Sequence, residues 1–253
     1  MKGMTTDRQR LDQLLVARNH FETRSRARDA IARGTVCVDG VRVTRPGQPV
    51  GPEAAITIDD PARGYVSRAA LKLAPALDHF ALSVTGLHAL DIGASTGGFT
   101  QVLLERGAAH VVAIDVGHGQ MHDSLRRDPR VTCIEGLNAR DLDARQLQGH
   151  APQFIVSDVS FISLKLALPP ALALAVPGAH CVLLVKPQFE AGKAAIGKGG
   201  ILRDPADGPR IAEDLRLWLG CQPGWRALGL APSAIEGQDG NREFLLAGTK
   251  DQS

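Results

Sequence analysis

Residues 90–100 read LDIGASTGGFT, an apolar run with one acid that leads directly into a turn of small residues. The apolar residues before Gly93 are typical of a short buried strand. Two adjacent glycines, Gly97 and Gly98, allow the chain to turn tightly before Phe99 begins a helical segment. Because a helix that follows a glycine-rich turn presents backbone N–H groups to ligands, this segment predicts a ligand site in an α/β protein.

Strand-like and helical segments alternate from residue 87 to the end of the chain. Near-continuous apolar runs are typical of parallel strands that are covered on both faces. The expected strands are HALDIG, AHVVAIDV, RVTCIEG, QFIVSDVS, AHCVLLVKP, GWRALGLA and EFLLAGT, with helices after Gly97, through Leu174 and around PRIAEDLRLWLG. The pattern predicts an α/β fold with a doubly wound, mostly parallel sheet, in which ligands bind beyond the carboxyl ends of the strands.

The turn at residues 93–98 lacks the features of two common nucleotide motifs. It does not have the G-x-G-x-x-G spacing of dinucleotide-binding folds, and Phe99 stands where a phosphate-binding loop would need lysine. The nearest charged residue is Asp91. An acid without a neighbouring base suits a ligand that carries an amine and a sulfonium but no phosphate, and S-adenosylmethionine is such a ligand.

Polar residues after neighbouring strands extend this cofactor hypothesis. Asp115 ends the second strand, where an acid binds ribose hydroxyls in dinucleotide enzymes. Asn138 follows the third strand and is a candidate for the adenine edge, with a local cap as the alternative. Asp91 is expected to face the amino group, directly or through water. The expected cofactor residues are Asp91, Gly93, Ser95, Gly97, Gly98, Phe99, Asp115, Asn138 and Asp158.

Four charged residues are candidates for catalysis. Asp158 and Lys186 end two successive strands, and Glu243 lies near the last one. If Lys186 lies beside a second lysine in a cleft, burial and like charge would lower its pKa and let it act as a general base on a hydroxyl. An acid between the two lysines would orient both. The expected catalytic set, without a metal, is Lys72, Asp158, Lys186 and Glu243; charged strand ends without any catalytic role are the alternative.

Residues 10–58 form a separate pattern. RLDQLLVAR predicts a short amphipathic helix, and Thr23 is a candidate cap for a second helix that ends at Gly34. The Asp39-Gly40 pair, flanked by alternating apolar residues, predicts a β-hairpin. These elements predict a small α+β domain.

Positive charge is concentrated in this first part of the chain. Residues 1–50 carry ten Lys and Arg against five Asp and Glu, a net of +5, whereas the whole chain carries only +2. An arginine-rich helix with few balancing acids favours a nucleic-acid phosphate backbone, although a solvated helix face is the alternative. Aromatic residues make up only 4% of the chain, which argues against base stacking as the main recognition device. The expected nucleic-acid-binding residues are Arg10, Arg24, Arg26, Arg28 and Arg33.

Asp60-Pro61 and Gly64 mark a linker at about 59–66, so we expect a small nucleic-acid-binding domain at 1–62 and a larger domain at 63–253. The four cysteines are widely spaced and three lie in apolar surroundings, which predicts buried free thiols rather than a zinc site and fits a reducing cytosol. The beginning of the chain lacks the apolar core of a signal peptide. The most apolar stretch, 164–176, is short and interrupted by Lys165 and two prolines. We therefore expect a cytoplasmic protein without a membrane partner.

Both parts of the chain resemble known families. RLDQLLVARNHFETRSRARDAIARGTVCVDGVRV resembles the small RNA-binding domain of the ribosomal small-subunit protein four type. SRAALKL, LDIGASTGGFT, VSDVSFISL, LVKPQFEAGK and GNREFLL resemble the FtsJ-like ribosomal RNA methyltransferases, and the whole chain is similar to the TlyA family.

The resemblance implies 2′-O-methylation of ribose in ribosomal RNA, with naked RNA or ribosomal subunits as the partner. It maps the catalytic set onto the same Lys72, Asp158, Lys186 and Glu243, with Glu236 as an alternative to Glu243. Family members are also named hemolysins, so a membrane-active protein is one rival hypothesis. An RNA-binding assembly factor with a silent cofactor fold is another.

Overall fold

The computed structural model describes residues 8–237 and 240–252. The chain separates into two compact units, with the division between Arg63 and Gly64.

Over residues 8–63, the first unit contains two helices and five short strands. Its elements are β1 (Gln9–Arg10), α1 (Leu11–Ala17), α2 (Arg24–Ala32), β2 (Val36–Val38), β3 (Val41–Val43), β4 (Pro49–Val50) and β5 (Ile56–Ile58). Strands β3, β2 and β5 form an antiparallel sheet in that order, and β1 pairs with β4. Buried residues of both helices and of the sheet, among them Leu11, Leu15, Ile31 and Val36, form one apolar core.

Local sequence signals account for these short elements. The Thr23 side chain accepts a hydrogen bond from the backbone N–H of Arg26 and so caps α2. Gly34 follows the helix with φ +71°, a left-handed conformation that favours glycine. Asp39 and Gly40 both have positive φ, which fits a hairpin turn whose twist matches the strands. The predictions for the cap, the helix end and the hairpin are therefore confirmed.

The second unit contains the remaining elements. They are α3 (Ala70–His79), β6 (His88–Ile92), α4 (Gly98–Glu105), β7 (His110–Asp115), α5 (Asp123–Arg126), β8 (Val131–Glu135), β9 (Phe154–Ser157), α6 (Leu164–Ala167), α7 (Pro169–Leu174), β10 (His180–Val185), α8 (Pro187–Glu190), α9 (Asp207–Gly220), β11 (Trp225–Pro232) and β12 (Phe244–Lys250), with 3₁₀ turns at Ala139–Asp141, Lys193–Ala195 and Lys198–Gly200. The helix expected through Leu174 is two helices, because Pro169 and Pro170 cannot continue the first.

The seven strands of this unit form one sheet in the order β11-β12-β10-β9-β6-β7-β8. Neighbouring strands from β10 to β8 are parallel, while β12 runs antiparallel to both β10 and β11. The doubly wound, mostly parallel sheet that the sequence predicts is therefore confirmed. The chain moves outward from β6 to β8 and then returns to β9 on the other side of β6. Ligands of such folds bind at this switch point.

Alternate strand residues build two apolar layers. Leu90 and Ile92 pack in one cluster with residues of α6, α7 and α9, whereas Ala89 packs in the other with residues of α3 and α4. Leu90 is wholly buried, so its replacement by alanine should cost about 2–5 kcal/mol. This packing fixes the ends of β6 and β9, and with them the glycine turn.

Two sequence expectations concern thiols and membranes. All four cysteines are free, but only Cys181 is buried; Cys221 is exposed because it follows the end of α9. In the part of the chain that the structure describes, the helices are too short or too polar to cross a membrane.

Candidate active site

Each glycine of the turn after β6 is required by a close approach of other atoms. Gly93 has φ +80°, and a Cβ there would lie 2.9 Å from the carbonyl oxygen of Asp158. Gly97 has φ +96°, and its Cβ would lie 2.7 Å from Met121 Sδ. A Cβ on Gly98 would lie 3.0 Å from Ser67 Cβ. The turn is therefore held tightly between the end of β9 and the residues before α3.

Two adjoining cavities lie beyond the carboxyl ends of the strands. The first, called here the polar cavity, is lined by the candidate catalytic residues Lys72, Asp158, Lys186 and Glu243 together with Gly93, Ser95, Gly98 and Phe99. The second, called here the apolar cavity, is lined by Ile92, Ile114, Val116, Leu137 and Ile162 together with Asp115 and Asn138. Gly93, Ser95 and Asp158 line both, so the two cavities meet at the glycine turn.

Asp115 at the end of β7 links two turns. Its Oδ2 accepts a hydrogen bond of 2.8 Å from the N–H of Ser95, and its Oδ1 accepts one of 2.7 Å from the N–H of Gly117. The side chain is half-buried in the wall of the apolar cavity. Asp115 therefore both shapes the glycine turn and presents a carboxylate to the space beside it.

Asn138 lies on the far side of the apolar cavity, where its Oδ1 accepts a hydrogen bond from the N–H of Arg140. The local cap that the sequence left open as an alternative is thus present. Nearby, sequence reasoning missed Glu135 at the end of β8. Its carboxylate accepts hydrogen bonds from the N–H groups of Gly119, Gln120 and Met121, which hold the pKa of Glu135 at about 2. Glu135 fixes the loop after Asp115.

Asp91 lies beneath the glycine turn and lines neither cavity. It is wholly buried, and its Oδ2 accepts a hydrogen bond of 2.6 Å from the Thr100 hydroxyl, while Oδ1 has no hydrogen-bond partner among the residues that the structure describes. Burial, reinforced by the charges of Asp158 and Asp115, raises the pKa of Asp91 to about 7. Its predicted contact with an amino group therefore stays a prediction, and Gly97 also lies outside both cavities.

Lys72 and Glu243 form a buried ion pair in the wall of the polar cavity. Lys72 Nζ lies 2.5 Å from Glu243 Oε2, and the two side chains are only 7% and 2% exposed. Glu236, the alternative candidate, is exposed and lines a different depression, near Asn241. The structure therefore places Glu243, and not Glu236, beside the other candidate catalytic residues.

Lys186 and Asp158 form the second ion pair of the polar cavity. Lys186 Nζ lies 2.6 Å from Asp158 Oδ1 and donates a hydrogen bond of 2.8 Å to Ser160 Oγ. The expected arrangement of one acid between two lysines is wrong in detail, because each lysine faces its own carboxylate. The reason is topological: Asp158 follows β9 next to β10, whereas Glu243 immediately precedes β12 on the other side of β10.

Directly after Asp158 and Lys186, sequence reasoning also missed four polar or aromatic residues that line the polar cavity: Ser160, Phe161, Gln188 and Phe189. Phe161 is 91% exposed with φ +64°, and its ring centre lies 5.0 Å from that of Phe189. An exposed aromatic ring at a cavity mouth offers a surface on which a base can stack. The available signal was position, since these residues directly follow Asp158 and Lys186 in VSFIS and KPQF.

The arginines of the first unit are mostly paired with carboxylates. Arg10 and Arg24 both contact the buried carboxylate of Asp12. Arg33 pairs with Asp60 at 2.8 Å and with Asp29, Arg26 pairs with Glu22, and Arg28 is exposed. The premise that few acids balance this helix is therefore wrong, because two of the balancing acids, Asp12 and Asp60, lie outside it.

Metal chemistry needs a cluster of ligands. Within residues 8–237 and 240–252, His, Cys, Asp and Glu side chains do not gather in groups of three or more that could hold a metal ion.

Comparison with known proteins gives two family matches. The FtsJ-like methyltransferase model matches residues 65–250, and the S4 domain model matches residues 9–56. The chain is 45% identical to the 16S/23S rRNA (cytidine-2′-O)-methyltransferase TlyA of Mycobacterium tuberculosis, over 94% of this chain and 89% of the relative. It is 40% identical to hemolysin A of Brachyspira hyodysenteriae, over 93% and 98% of the two chains.

A solved structure of a candidate hemolysin from Streptococcus thermophilus is 39% identical and superposes with a TM-score of 0.76, over 98% of this chain and 90% of that one. The match extends across both units. The chain therefore belongs to the FtsJ-like methyltransferase family and, within it, to the TlyA family that the sequence motifs indicate.

Proposed function

We propose that this protein is an S-adenosylmethionine-dependent methyltransferase that methylates the 2′-hydroxyl of a ribose, most simply of a cytidine, in ribosomal RNA. The observation that carries the proposal is the joining of two cavities at one glycine turn. One cavity is apolar with a carboxylate in its wall, and the other holds two lysine–carboxylate pairs. Two relatives of this chain, the TlyA proteins of Mycobacterium tuberculosis and Campylobacter jejuni, are named as rRNA (cytidine-2′-O)-methyltransferases.

The residues around the apolar cavity fit the cofactor. Its lining of Ile92, Ile114 and Ile162 suits an adenine ring, and the half-buried Asp115 carboxylate suits the two ribose hydroxyls. Gly93 and Ser95 line both cavities, so the methionine part can lie against the turn where the cavities meet. When bound, S-adenosylmethionine supplies a methyl group on a sulfonium, and the sulfur keeps the electron pair of the broken C–S bond.

The residues of the polar cavity can position a hydroxyl acceptor. We propose that Lys186 Nζ is the general base, which accepts the hydroxyl proton while the hydroxyl oxygen forms a bond to the methyl carbon. Asp158 and Ser160 hold the Lys186 amine in place. The Lys72–Glu243 pair fixes the opposite wall of the cavity. Holding the acceptor close to the methyl group supplies much of the rate enhancement.

We propose that the first unit, predicted at 1–62, binds the RNA and that the second, predicted at 63–253, performs the transfer. The S4 domain match covers residues 9–56. Arg28 is the best candidate for a phosphate contact, because it is exposed at a point where the neighbouring arginines are committed to Asp12 and Asp60. The other candidate arginines would have to contact an RNA phosphate while they keep their carboxylate partners; they are Arg10, Arg24, Arg26 and Arg33. A ribosomal substrate would fit the cytoplasmic location that the sequence predicts, and this location stays an expectation.

Two rival functions are less well supported. A membrane-active protein would have no use for two lysine–carboxylate pairs beside a glycine turn. A silent assembly factor would have no use for a complete set of Lys72, Asp158, Lys186 and Glu243. The support for the first rival is the hemolysin name of the Brachyspira hyodysenteriae relative and of the Streptococcus thermophilus structure.

Labelled methyl transfer tests the proposed function. The protein is incubated with methyl-labelled S-adenosylmethionine and with ribosomal subunits from a strain that lacks it. Label should appear in RNA with the wild-type protein and not with Lys186→Ala. No label with the wild type, together with no cofactor binding by calorimetry, would remove the proposal; liposome leakage without cofactor would favour the membrane-active rival.

A further inference from the structure

A surface of the second unit carries cations that the proposed reaction does not use. The segment 191–203 reads AGKAAIGKGGILR, with three basic residues and no acid. Its cations, Lys193, Lys198 and Arg203, are exposed. The segment joins α8 to α9 at the carboxyl edge of the sheet, because α8 follows the end of β10 and α9 returns the chain to the start of β11, which is parallel to β10. It therefore lies at the same edge as the polar cavity.

Arg242 is a fourth exposed cation at this edge. Phe244, two residues later, pairs in the sheet with Val185, which directly precedes Lys186. Since paired Cα atoms lie about 5.5 Å apart and one residue spans at most about 3.6 Å, the Cα atoms of Arg242 and Lys186 lie within about 17 Å of each other. The four cations are called here the basic edge: Lys193, Lys198, Arg203 and Arg242.

The side chain of Asn241 joins the two parts of this surface. Its Oδ1 accepts a hydrogen bond of 3.2 Å from the N–H of Leu202, and its Nδ2 donates one of 3.0 Å to the carbonyl of Gly200. Asn241 itself is buried. Arg203 closes the loop from within, since its Nε donates a hydrogen bond of 3.1 Å to the carbonyl of Ile196. The loop is therefore fastened to the segment that carries Arg242, and the cations are presented together.

Positive charge on the basic edge is poorly balanced. Within the described residues, its four cations form no ion pair with a carboxylate, whereas Arg210 on α9 pairs with an acid of its own helix. Glu190 accepts two hydrogen bonds from the start of α6, and Asp204 accepts one from the turn before α9. Glu236 lines the depression beside Arg242 but offsets only part of the charge. Such a surface repels itself until a polyanion covers it.

We propose that the basic edge binds phosphates of ribosomal RNA close to the acceptor nucleotide, and so gives the second unit its own contact with the substrate. Each lysine or arginine that neutralises a phosphate releases a counterion, which favours binding. An RNA whose ribose hydroxyl faces Lys186 would continue past Arg242 and the loop. RNA is favoured over an anionic lipid surface because the cations lie beside a cavity that suits a hydroxyl acceptor. This inference rests on the proposed function, because it places that acceptor at Lys186.

The salt dependence of binding tests this inference. The full-length protein is titrated with ribosomal subunits from a strain without the enzyme, at constant magnesium and varied monovalent salt. The triple variant Lys193→Gln, Lys198→Gln and Arg242→Gln removes three exposed charges and leaves Arg203, which closes the loop, in place. We expect it to reduce the slope of log K against log salt by about two to three and to raise the Kd about tenfold or more near physiological salt.

A second triple variant is the matched control. Arg127→Gln, Arg130→Gln and Arg226→Gln remove the same charge from exposed positions. These residues lie near the starts of β8 and β11, at the opposite edge of the sheet. The control should change the slope by less than about one. Equal losses in the two triple variants would overturn the inference, because net charge alone would then account for the binding.

Methyl transfer separates this inference from the proposed function. With saturating subunits, the kcat of the basic-edge variant should stay within about twofold of wild type while its KM rises about tenfold. An unchanged slope and KM would overturn the inference and leave the proposed function intact. Loss of binding to phosphatidylglycerol vesicles with RNA binding unchanged would overturn it in favour of lipid. No transfer by a wild type whose subunit binding depends on the basic edge would refute the proposed function, while the RNA contact would stand.

Discussion

Lys72 Nζ donates a hydrogen bond of 2.5 Å to Glu243 Oε2, across 171 residues of sequence. Lys72 lies on α3 before the first strand of the sheet, and Glu243 lies directly before the last. Both are almost completely buried, and a buried charge is tolerated only when it is paired. The pair therefore joins the two ends of the second unit at the wall of the polar cavity.

Replacing one member of this pair should reduce activity strongly. We expect Glu243→Gln to lower kcat by about a hundredfold or more, because Lys72 would lose the carboxylate that holds its ammonium group in place. The cofactor Kd should stay within about threefold of the wild-type value. Steady-state kinetics and calorimetry measure the two effects. Glu236→Gln, which alters an exposed residue, is the matched control and should keep wild-type kinetics. Equal losses from both substitutions would contradict the placement of Glu243 in the site.

The role of Lys186 in methyl transfer can be measured separately from cofactor binding. We expect Lys186→Ala to bind S-adenosylmethionine normally but to lose methyl transfer by about a thousandfold, the middle of the range for a missing general base. Lys165→Ala removes an exposed lysine near the site and should be silent. Turnover within tenfold of wild type in Lys186→Ala would refute its role as the base.

The Asp115 side chain should strengthen the binding of S-adenosylmethionine. We expect Asp115→Ala to weaken cofactor binding by about a hundredfold, because it removes the carboxylate proposed for the ribose hydroxyls and two hydrogen bonds that hold the turn. Calorimetry measures the effect, and Asp141→Ala, at an exposed position, is the control. An unchanged Kd would mean that the cofactor does not use the apolar cavity.

Asp91 should give the apo protein a defined pH dependence. Its pKa is about 7 in the folded protein against a usual 3.8, so the folded state binds more protons between these values and stability falls as pH rises through this window. Asp91→Asn should match the wild type near pH 4 and be more stable above pH 7, by on the order of 4 kcal/mol at most. Denaturant unfolding across pH 4–8 measures the difference. A constant difference would show that Asp91 stays ionised.

Arg28 offers the cleanest test of RNA binding. We expect Arg28→Ala to weaken binding to ribosomal RNA and to reduce the slope of log K against log salt by about one, with no loss of thermal stability. Arg24→Ala is less informative, since it also removes a partner of the buried Asp12. Arg127→Ala, in an exposed pair of the second unit, is the control. An unchanged slope in Arg28→Ala would mean that this part of the helix is only solvated.

The strands, the glycine turn and the positions of Asp115, Asp158 and Lys186 could be predicted because each depends on local pattern and on the rule that parallel strands end at one edge. The pairing of the lysines could not, since which acid meets which lysine depends on the order of β9, β10 and β12 across the sheet. The same limit applies to Asp12 and Asp60, whose pairing with arginines of α2 arises from tertiary packing.

Mass spectrometry of nucleosides from methylated ribosomal subunits tests the central claim most directly. Subunits from a strain without the enzyme are incubated with the wild-type protein and methyl-labelled S-adenosylmethionine, and the RNA is digested to nucleosides. The proposed function predicts label in a 2′-O-methylated ribose, cytidine in particular, and none with Lys186→Ala. Label on a nucleobase, or equal labelling by Lys186→Ala, would contradict it.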